Sequence, residues 1–417
     1  MHHFDRRHFL QGSLGLLGGA AVWPSSAGLL GQTAPREKLP VAAVVSEYRK
    51  NSHADVIVGK VLEGWKQDGG PGPDLQLVAL YTDQTPENDL GRPLSEKHGF
   101  RLAKTIDEAL TLGSDKLAVA GVLSIGEHGK YPDTPDTGQT MYPRRRFFDE
   151  IIATYRRVGQ TAPIFNDKHL AYAWADAKHM YDTAREMKIP FMAGSSLPVA
   201  WRAPSQTLPL DCELEEAMSL GYGPLEGYGF HATEVLQCLV ERRKGGEVGV
   251  ESVEVLQGQA IWNAAAAGRW SRELFDAAMA RVPVYRAGKP EEILMADASW
   301  YLIKYRDGLK ATVAMANGAS ADFGFAAKVK GQAEPFAIRF PTQEHDPFEH
   351  FAYLLRAIEH MFHTGQAAYP VERTLLTTGI LDAAMHSLAE QGKPQLTAEF
   401  DVAYQPADWP FAPGFPD

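Results

Sequence analysis

The sequence is poor in cysteine, with only Cys212 and Cys238 among its 417 residues. Two thiols are too few for a disulfide framework, and Cys238 lies in an apolar helical pattern, as a small hydrophobic residue would. Long apolar runs are also absent, so we expect no stable insertion into a membrane. Positive charge is in deficit, because 52 acidic residues outnumber 41 basic ones. Nucleic acid is therefore not expected as a partner, since binding to a phosphate backbone needs a basic surface.

The N-terminus has the pattern of an export signal. Arg6 and Arg7 are followed by the apolar Phe9, and small and apolar residues fill 14–22. A basic start, a short apolar middle and small residues at the end are typical of a signal peptide, and the arginine pair matches the twin-arginine type. An ordinary secretory signal or a disordered tail is the alternative. We expect residues 1–32 to direct the protein to the periplasm or another extracytoplasmic compartment.

The rest of the chain is long enough for two domains. Between 37 and 197, short apolar runs alternate with amphipathic stretches, which predicts a Rossmann-type domain with a doubly wound parallel sheet. The segment 198–404 contains a helix from about 231 and several strand-forming runs, which predict a second α/β domain with a mostly antiparallel open sheet. A free face of that sheet would make a homo-oligomer plausible. The tail, 405–417, is expected to pack as an extended strap or to be disordered.

The first strand-to-helix turn lacks the glycines of a dinucleotide-binding fingerprint. Ser46, Tyr48 and Asn51 stand where G-x-G-x-x-G would bring the backbone close to a pyrophosphate. The helix start remains, because Ser52 and Asp55 form a capping-box-like pair that leaves backbone N–H groups pointing toward a ligand crevice. A capped helix start with a solvated basic pair is the alternative. The cofactor-binding candidates in this turn are Ser46, Glu47, Tyr48, Arg49, Asn51, Ser52 and His53.

Further polar residues follow the next predicted strands. Asp83 ends the second one, where a carboxylate can accept ribose hydroxyls and would repel a 2′-phosphate, which favours NAD over NADP. An ordinary turn aspartate is the alternative. Glu127 and His128 lie between glycines at the carboxyl edge of the sheet, where they could bind a cofactor, sugar hydroxyls or, less readily, a metal ion. The arginines at 144–146 are expected to be a solvated face or, alternatively, to grip an anion or carboxylate.

Two later segments resemble the glucose-fructose oxidoreductase/inositol dehydrogenase family. Asp167-Lys168-His169 is similar to the family's Glu-Lys-Pro and keeps the acid and the lysine without the proline. The segment with Gly229, His231 and Glu234 is similar to the family's Asp-x-Gly-x-His-x-x-Asp, with Gly227 in place of the first aspartate. The resemblance extends over about 38–404. It implies the two-domain fold, a nicotinamide cofactor and a sugar or cyclitol substrate.

The resemblance also implies roles for these residues. Lys168 would assist proton transfer at the reacting hydroxyl, and its pKa could be lowered beside the cofactor's positive ring. His231 would contact the substrate hydroxyl and accept its proton, while Glu234, a neighbour on the helix, could fix the tautomer of its imidazole. A strand-end lysine and a buried structural histidine are the respective alternatives. The implied substrate-binding residues are Glu127, His128, Lys168, Tyr228, His231 and Glu234, and Lys168 would also contact the cofactor.

These observations predict an NAD-dependent oxidoreductase that transfers a hydride between a nicotinamide cofactor and a hydroxyl-bearing carbon of a sugar or cyclitol. NADP is the less favoured cofactor. Two alternatives stay open: a redox-neutral sugar lyase or glycosidase with retained NAD, and a non-catalytic periplasmic sugar-binding protein without nucleotide, which the missing glycines suggest. A metal site is not expected, because the histidines and cysteines lack the usual ligand spacing.

Overall fold

The computed structural model describes residues 37–415. The predicted export signal at 1–32 lies outside this range, as do residues 416 and 417. Among the described residues, no helix is both long and apolar enough to cross a membrane.

A six-stranded parallel sheet occupies the N-terminal half of the described chain. Its strands are β1 (Leu39–Val45), β2 (Leu75–Thr82), β3 (Arg101–Ala103), β4 (Gly121–Ile125), β5 (Ile164–Asp167) and β6 (Phe191–Gly194). They lie in the order β3-β2-β1-β4-β5-β6, and every pairing is parallel. Strands buried on both faces need mostly apolar sequences, as β1 has throughout and β4 has apart from Ser124. The doubly wound parallel sheet predicted from the sequence is confirmed.

Helices from the same half of the chain cover both faces of this sheet. They are α1 (His53–Glu63), α2 (Gly91–His98), α3 (Ile106–Thr111), α4 (Arg144–Val158) and α5 (Trp174–Glu186). Helices α3, α4 and α5 pack on one face, and α1 packs on the other. The predicted cap of α1 is present, because Ser52 Oγ accepts a hydrogen bond from the backbone N–H of Asp55.

The second half of the chain forms a mixed, mostly antiparallel sheet. The strands of this half are β7 (Leu214–Gly221), β8 (Glu247–Val248), β9 (Val250–Gln257), β10 (Ser299–Tyr305), β11 (Lys310–Met315), β12 (Phe323–Val329), β13 (Phe336–Phe340), β14 (Gln395–Leu396) and β15 (Ala403–Tyr404). Seven of them lie in the order β13-β12-β7-β11-β10-β9-β14. Only β7 and β11 pair in parallel within it. The predicted sheet type is confirmed, and β8 and β15 form a separate pair.

Helices of this chain pack on both faces of the second sheet. The helices of this half are α6 (Leu225–Val240), α7 (Gln259–Ala266), α8 (Arg272–Met279), α9 (Pro290–Ile293), α10 (His350–Thr364) and α11 (Val371–Ala389). Helices α6 and α11 pack on one face, while α7 and α8 cover the other. On that second face Trp270 and Phe275 pack against Trp300 of β10, with ring centroids 6.0 and 5.7 Å apart. Helices α7 and α8 therefore occupy part of the sheet face that we expected to be free for self-association, and Lys304 and Leu396 remain exposed on the same face.

Helix α6 begins at Leu225, well before the predicted start near 231. Its glycines made the first turns look non-helical, since glycine disfavours helix interiors. Packing explains one of them: a Cβ at Gly229 would lie 2.3 Å from the hydroxyl oxygen of Tyr301, so only glycine lets the helix approach β10 this closely. The earlier start places His231 inside the helix rather than at its beginning.

Helix α10 joins the two halves of the chain, because it packs on the first sheet beside α1. Its residues Leu354 and Phe362 belong to the same buried cluster as Val41 and Leu123 of that sheet. At Gly121, the first residue of β4, an added Cβ would lie 2.5 Å from the ring of Phe362. The C-terminal segment thus completes the core of the N-terminal sheet.

Residues 405–415 pack against the protein as an extended strap. The backbone N–H of Ala412 donates to the carbonyl of Val199 (3.0 Å), within a short 3₁₀ turn at Leu197–Val199. The ring of Phe411 lies 4.3 Å from the guanidinium carbon of Arg202. The strap therefore covers the connection between the two sheets.

Replacing Gly121 by Ala is expected to lower the free energy of unfolding by about 1–3 kcal/mol, because the new methyl group must displace Phe362 or β4. Urea-induced unfolding measures this loss. Gly227→Ala is the matched control, since a Cβ at Gly227 meets no atom within 4 Å inside α6. We expect the control to be neutral or slightly stabilising. Equal stability of the two variants would contradict the close packing of α10 on β4.

Candidate functional site

The candidate site lies at the carboxyl edge of the parallel sheet. Glu127 and His128 follow β4, and Lys168 and His169 follow β5, its parallel neighbour. His128 (φ +71°) and Lys168 (φ +60°) both have left-handed backbone conformations, which are unfavourable for residues other than glycine. Such local strain persists only where the surroundings enforce it, and it concentrates at functional sites. The two loops therefore hold these side chains in a fixed arrangement. We call the region around Glu127, His128, Lys168 and His169 the crevice.

Glu127 forms the electrostatic centre of the crevice. Its Oε1 lies 2.9 Å from Lys168 Nζ, and its Oε2 accepts a hydrogen bond from Arg144, the first residue of α4. Arg144 is completely buried, and Glu127 and Lys168 are nearly so. Burial alone would raise the pKa of Glu127, but the charges of Lys168 and Arg144 hold it well below its usual range. Glu127 is therefore a carboxylate shared by two cations.

Arg144 also fixes the state of a neighbouring histidine. Its Nη1 lies 2.9 Å from Nε2 of His169. Burial and the charge of Arg144 hold the pKa of His169 well below its usual range. His169 is thus neutral, and its Nε2 accepts the hydrogen bond. Each of the two interpretations of the arginines at 144–146 applies to part of the run. Arg144 binds a carboxylate, whereas Arg145 and Arg146 form ion pairs at or near the surface.

His53 connects the first helix with the end of β5. Its Nδ1 lies 2.6 Å from Oδ2 of Asp167, and its ring packs edge-on against His128 at 5.3 Å and Phe351 at 5.2 Å between ring centroids. The other carboxylate oxygen of Asp167 is buried with no hydrogen-bond partner. The position of His53 at a cofactor turn was predictable from the sequence, but its pairing with Asp167 was not, since 114 residues separate them.

The turn before α1 directs two of its side chains inward. Ser46 Oγ donates to the carbonyl oxygen of Glu127 (2.5 Å), and Tyr48 is fully buried among the apolar residues of the first sheet. Asn51 has a left-handed backbone (φ +62°), which asparagine tolerates better than most residues. Arg49 pairs with Glu47 at 2.5 Å and lies 3.4 Å from Nδ1 of His128. Ser46 and Tyr48 therefore support the turn from within rather than project from it.

Asp83 is held by three donors at the end of β2. Oδ1 accepts from the hydroxyl of Tyr81 (2.9 Å) and from Arg146 (2.6 Å), and Oδ2 accepts from the hydroxyl of Tyr131 (2.8 Å). Burial works in the opposite direction, but hydrogen bonds from Arg146, Tyr131 and Tyr81 lower the pKa of Asp83. Asp83 therefore stays charged and keeps acceptor capacity at Oδ2.

Helix α6 brings aromatic residues and His231 to the crevice. The ring centroid of His231 lies 5.9 Å from that of Tyr228 and 6.0 Å from that of Phe323. Burial holds the pKa of His231 well below its usual range, and the positive charges of Lys168 and His53 act in the same direction. The same lysine acts on the pKa of Tyr228, which burial raises. The structure thus brings Lys168, His231 and Tyr228 within electrostatic reach of one another.

Glu234 forms no hydrogen bond with His231 within the described chain, contrary to our expectation. Its carboxylate is fully buried and accepts hydrogen bonds from the backbone N–H of Ser195 (3.2 Å) and the hydroxyl of Thr377 (3.0 Å). Burial raises the pKa of Glu234 to about 7. Nδ1 of His231 is buried without a partner. Helical spacing permitted the His231–Glu234 pair, but packing against β6 and α11 took Glu234 elsewhere.

One acidic residue near the crevice escaped the sequence analysis. Glu226, in the first turn of α6, accepts a hydrogen bond from the backbone N–H of Thr140 (2.9 Å), and burial raises its pKa. The charge of Arg144 lowers the pKa of Glu226, and the charge of Glu127 raises it. Glu226 directly precedes Gly227, which stands where the resembling family has an aspartate. Its position next to Gly227 was the sequence feature that could have pointed to Glu226.

Several buried polar atoms around the crevice have no hydrogen-bond partner within the described chain. Buried polar groups nearly always have a partner, so a cluster of exceptions indicates a place for ligand hydroxyls or water. These atoms are His128 Nε2, Asn166 Oδ1, Asp167 Oδ1, His169 Nδ1, Ser195 Oγ and His231 Nδ1.

No family model and no curated protein matches this chain. Solved structures do match it. GenD2 from gentamicin A biosynthesis, in complex with NAD, is 14% identical with a TM-score of 0.55, and the match covers 87% of this chain and 97% of GenD2. Scyllo-inositol dehydrogenase from Lactobacillus casei, with bound NAD(H) and scyllo-inositol, is 9% identical with a TM-score of 0.53, over 87% and 100% of the two chains.

A third match is myo-inositol 2-dehydrogenase from Lactobacillus plantarum, which is 12% identical with a TM-score of 0.51. That match covers 86% of this chain and 99% of the enzyme. Because all three identities are low, these comparisons establish the fold alone: this chain shares the two-sheet α/β architecture of these structures.

Proposed function

We propose that this protein is an oxidoreductase that uses a nicotinamide nucleotide, NAD in preference to NADP, and acts on a hydroxyl-bearing carbon of a sugar or cyclitol. The observation that carries the proposal is the placement of Lys168, held by Glu127 at 2.9 Å at the end of β5, within electrostatic reach of His231 on α6. The fold likeness to proteins with bound NAD or with NAD(H) and scyllo-inositol supports the same choice. The arginine pair at 6–7 supports export, so we place its action outside the cytoplasm.

The first turn fits a dinucleotide although it lacks the three glycines. Ser46 and Tyr48 turn their side chains into the protein, so neither occupies the outer side of the turn. Asn51 takes the left-handed conformation that a glycine would take. Helix α1, capped by Ser52, starts at this turn, and helix N-termini present backbone N–H groups to a pyrophosphate. Asp83, with capacity left at Oδ2, would accept a ribose hydroxyl.

The crevice suits a polyhydroxylated substrate. Its unpartnered atoms include acceptors, such as Asp167 Oδ1 and Asn166 Oδ1, and imidazole nitrogens that can donate or accept. The ring of Tyr228 stacks on Phe323 with an interplanar angle of 13° and provides an apolar wall. Sugars and cyclitols present hydroxyls together with C–H faces, and this combination of polar atoms and an aromatic wall matches both.

Two residues would manage the proton of the reacting hydroxyl. When bound, NAD supplies the hydride acceptor. The imidazole of His231 is neutral near pH 7, because its pKa is depressed, and would take the hydroxyl proton. Lys168, held by Glu127 at 2.9 Å, would donate a hydrogen bond to the same oxygen and stabilise the negative charge that develops there.

Protein purified from the cytoplasm before export is expected to contain close to one NAD or NADH per chain, as measured by absorbance and mass spectrometry. NADP should bind at least about tenfold more weakly, because the charged Asp83 repels a 2′-phosphate. A nucleotide-free protein with a sugar-dependent melting temperature would contradict this and identify a sugar-binding protein. Product analysis with a labelled sugar separates net oxidation from a lyase or glycosidase reaction around retained NAD.

Replacing Lys168 by Met should lower kcat by about 10²–10⁴-fold with little change in KM, because the group assisting proton transfer is lost while most ligand contacts remain. Lys304→Met is the matched control, since it removes an exposed lysine that pairs with Glu251 at the second sheet. The control should keep full activity in steady-state assays. Undiminished turnover of the Lys168 variant would remove its assigned role.

The pH profile should report the depressed pKa of His231. A base with a lowered pKa stays unprotonated until the pH falls through that lowered value, so kcat/KM should hold its plateau below about pH 6.5, the ordinary histidine value. Initial rates at low substrate concentration across the acid range measure this. An acid limb at the ordinary histidine value would show that His231 is not the proton acceptor.

A further inference from the structure

A small cavity lies apart from the crevice residues discussed above, between the connection of the two sheets, α6, α11 and the strap. Its volume of about 20 Å³ is large enough to hold one particle of the size of a water molecule. Three arginines line it, namely Arg202, Arg242 and Arg373. Other lining residues are Cys238, Tyr369 and Trp409. Three positive side chains around so small a space require negative charge nearby.

Two of the three arginines have a negatively charged carboxylate as partner. Arg373 forms a double hydrogen bond with the carboxylate of Glu241, at 2.9 and 2.5 Å. Arg242 pairs with Asp408 of the strap at 2.8 Å and donates to the carbonyl of Leu208 at 2.6 Å. Neither arginine is therefore an uncompensated charge.

Arg202 has no ion pair with any described residue. It is only 6% exposed, and its Nη2 donates to the carbonyl of Pro198 at 3.2 Å. Its Nε and Nη1 are buried without hydrogen-bond partners. The guanidinium packs on the rings of Phe411 and Phe340, which offer no hydrogen-bond acceptor oxygen.

Arg202 remains charged in spite of its burial. Burial lowers its pKa to about 10, and the cations Arg242 and Arg373 act in the same direction, whereas Cys238 and the carboxylate of Glu241 raise it. At neutral pH the guanidinium is therefore protonated. A buried, unpaired charge is strongly unfavourable, and a neutral water molecule in the cavity would satisfy hydrogen bonds without compensating the charge.

We propose that this cavity binds a monatomic anion, chloride under cellular conditions, through the free N–H groups of Arg202. Arg242 and Arg373 add positive potential, and the small volume leaves little room for larger anions. The bound anion joins the connection between the sheets, α6, the start of α11 and the strap. It is a structural site, and it does not depend on the proposed reaction.

The melting temperature of the full chain tests this proposal at constant ionic strength. Exchanging gluconate, which is too large for the cavity, for chloride should raise it by about 2–4 °C, because an anion that binds only the folded state stabilises it. Arg202→Met should abolish this dependence on chloride. Arg356→Met is the matched control, since Arg356 also lies on an aromatic ring, 4.1 Å from Trp65, but on the surface. It should retain the full chloride effect.

Crystals of the unaltered protein grown with bromide give a second measurement that needs no variant. An anomalous peak in the cavity beside the guanidinium of Arg202 would support the proposal even if the Arg202 variant fails to fold. A melting temperature that is the same in chloride and gluconate, together with no bromide peak in the cavity, would overturn it.

Discussion

The crevice depends on one buried carboxylate, Glu127, held between two cations. Lys168 approaches from β5 and Arg144 from α4, and all three side chains are almost removed from water. Removing one partner of a buried ion pair typically costs about 3–5 kcal/mol, because the remaining charge is left uncompensated. The arrangement therefore fixes the loops after β4 and β5, and through Arg144 it also fixes the neutral state of His169.

Positive charge at this centre has consequences for the second half of the chain. Burial disfavours a charged imidazole at His231 on α6, and the charges of Lys168 and His53 act in the same direction, so His231 is kept neutral. A neutral imidazole within electrostatic reach of an ammonium group suits proton transfer at a hydroxyl. The chemistry proposed here thus follows from the placement of charges rather than from any one residue type.

Much of the fold was predictable from local patterns. Mostly apolar strands alternating with amphipathic helices predicted the parallel sheet, and runs of strand-forming residues predicted the mostly antiparallel one. The sequence placed Glu127, His128 and Lys168 at strand ends, and the structure brings them together because β4 and β5 are parallel neighbours that end at one edge. Helix α6 was placed too late because its glycines are poor helix formers, while its close contact with Tyr301, which needs Gly229, is invisible locally.

The sequence by itself determined which polar residues stand at strand ends and helix starts, since these positions follow from periodicity and capping. Only the tertiary structure decided their partners. His53 pairs with Asp167 across 114 residues, Arg144 turns inward while its two neighbours face solvent, and Glu234 packs toward Ser195 and Thr377 instead of His231. The physical reason is that side-chain pairing in a core is set by which elements pack together, and chain-distant packing leaves no periodic signal in the sequence.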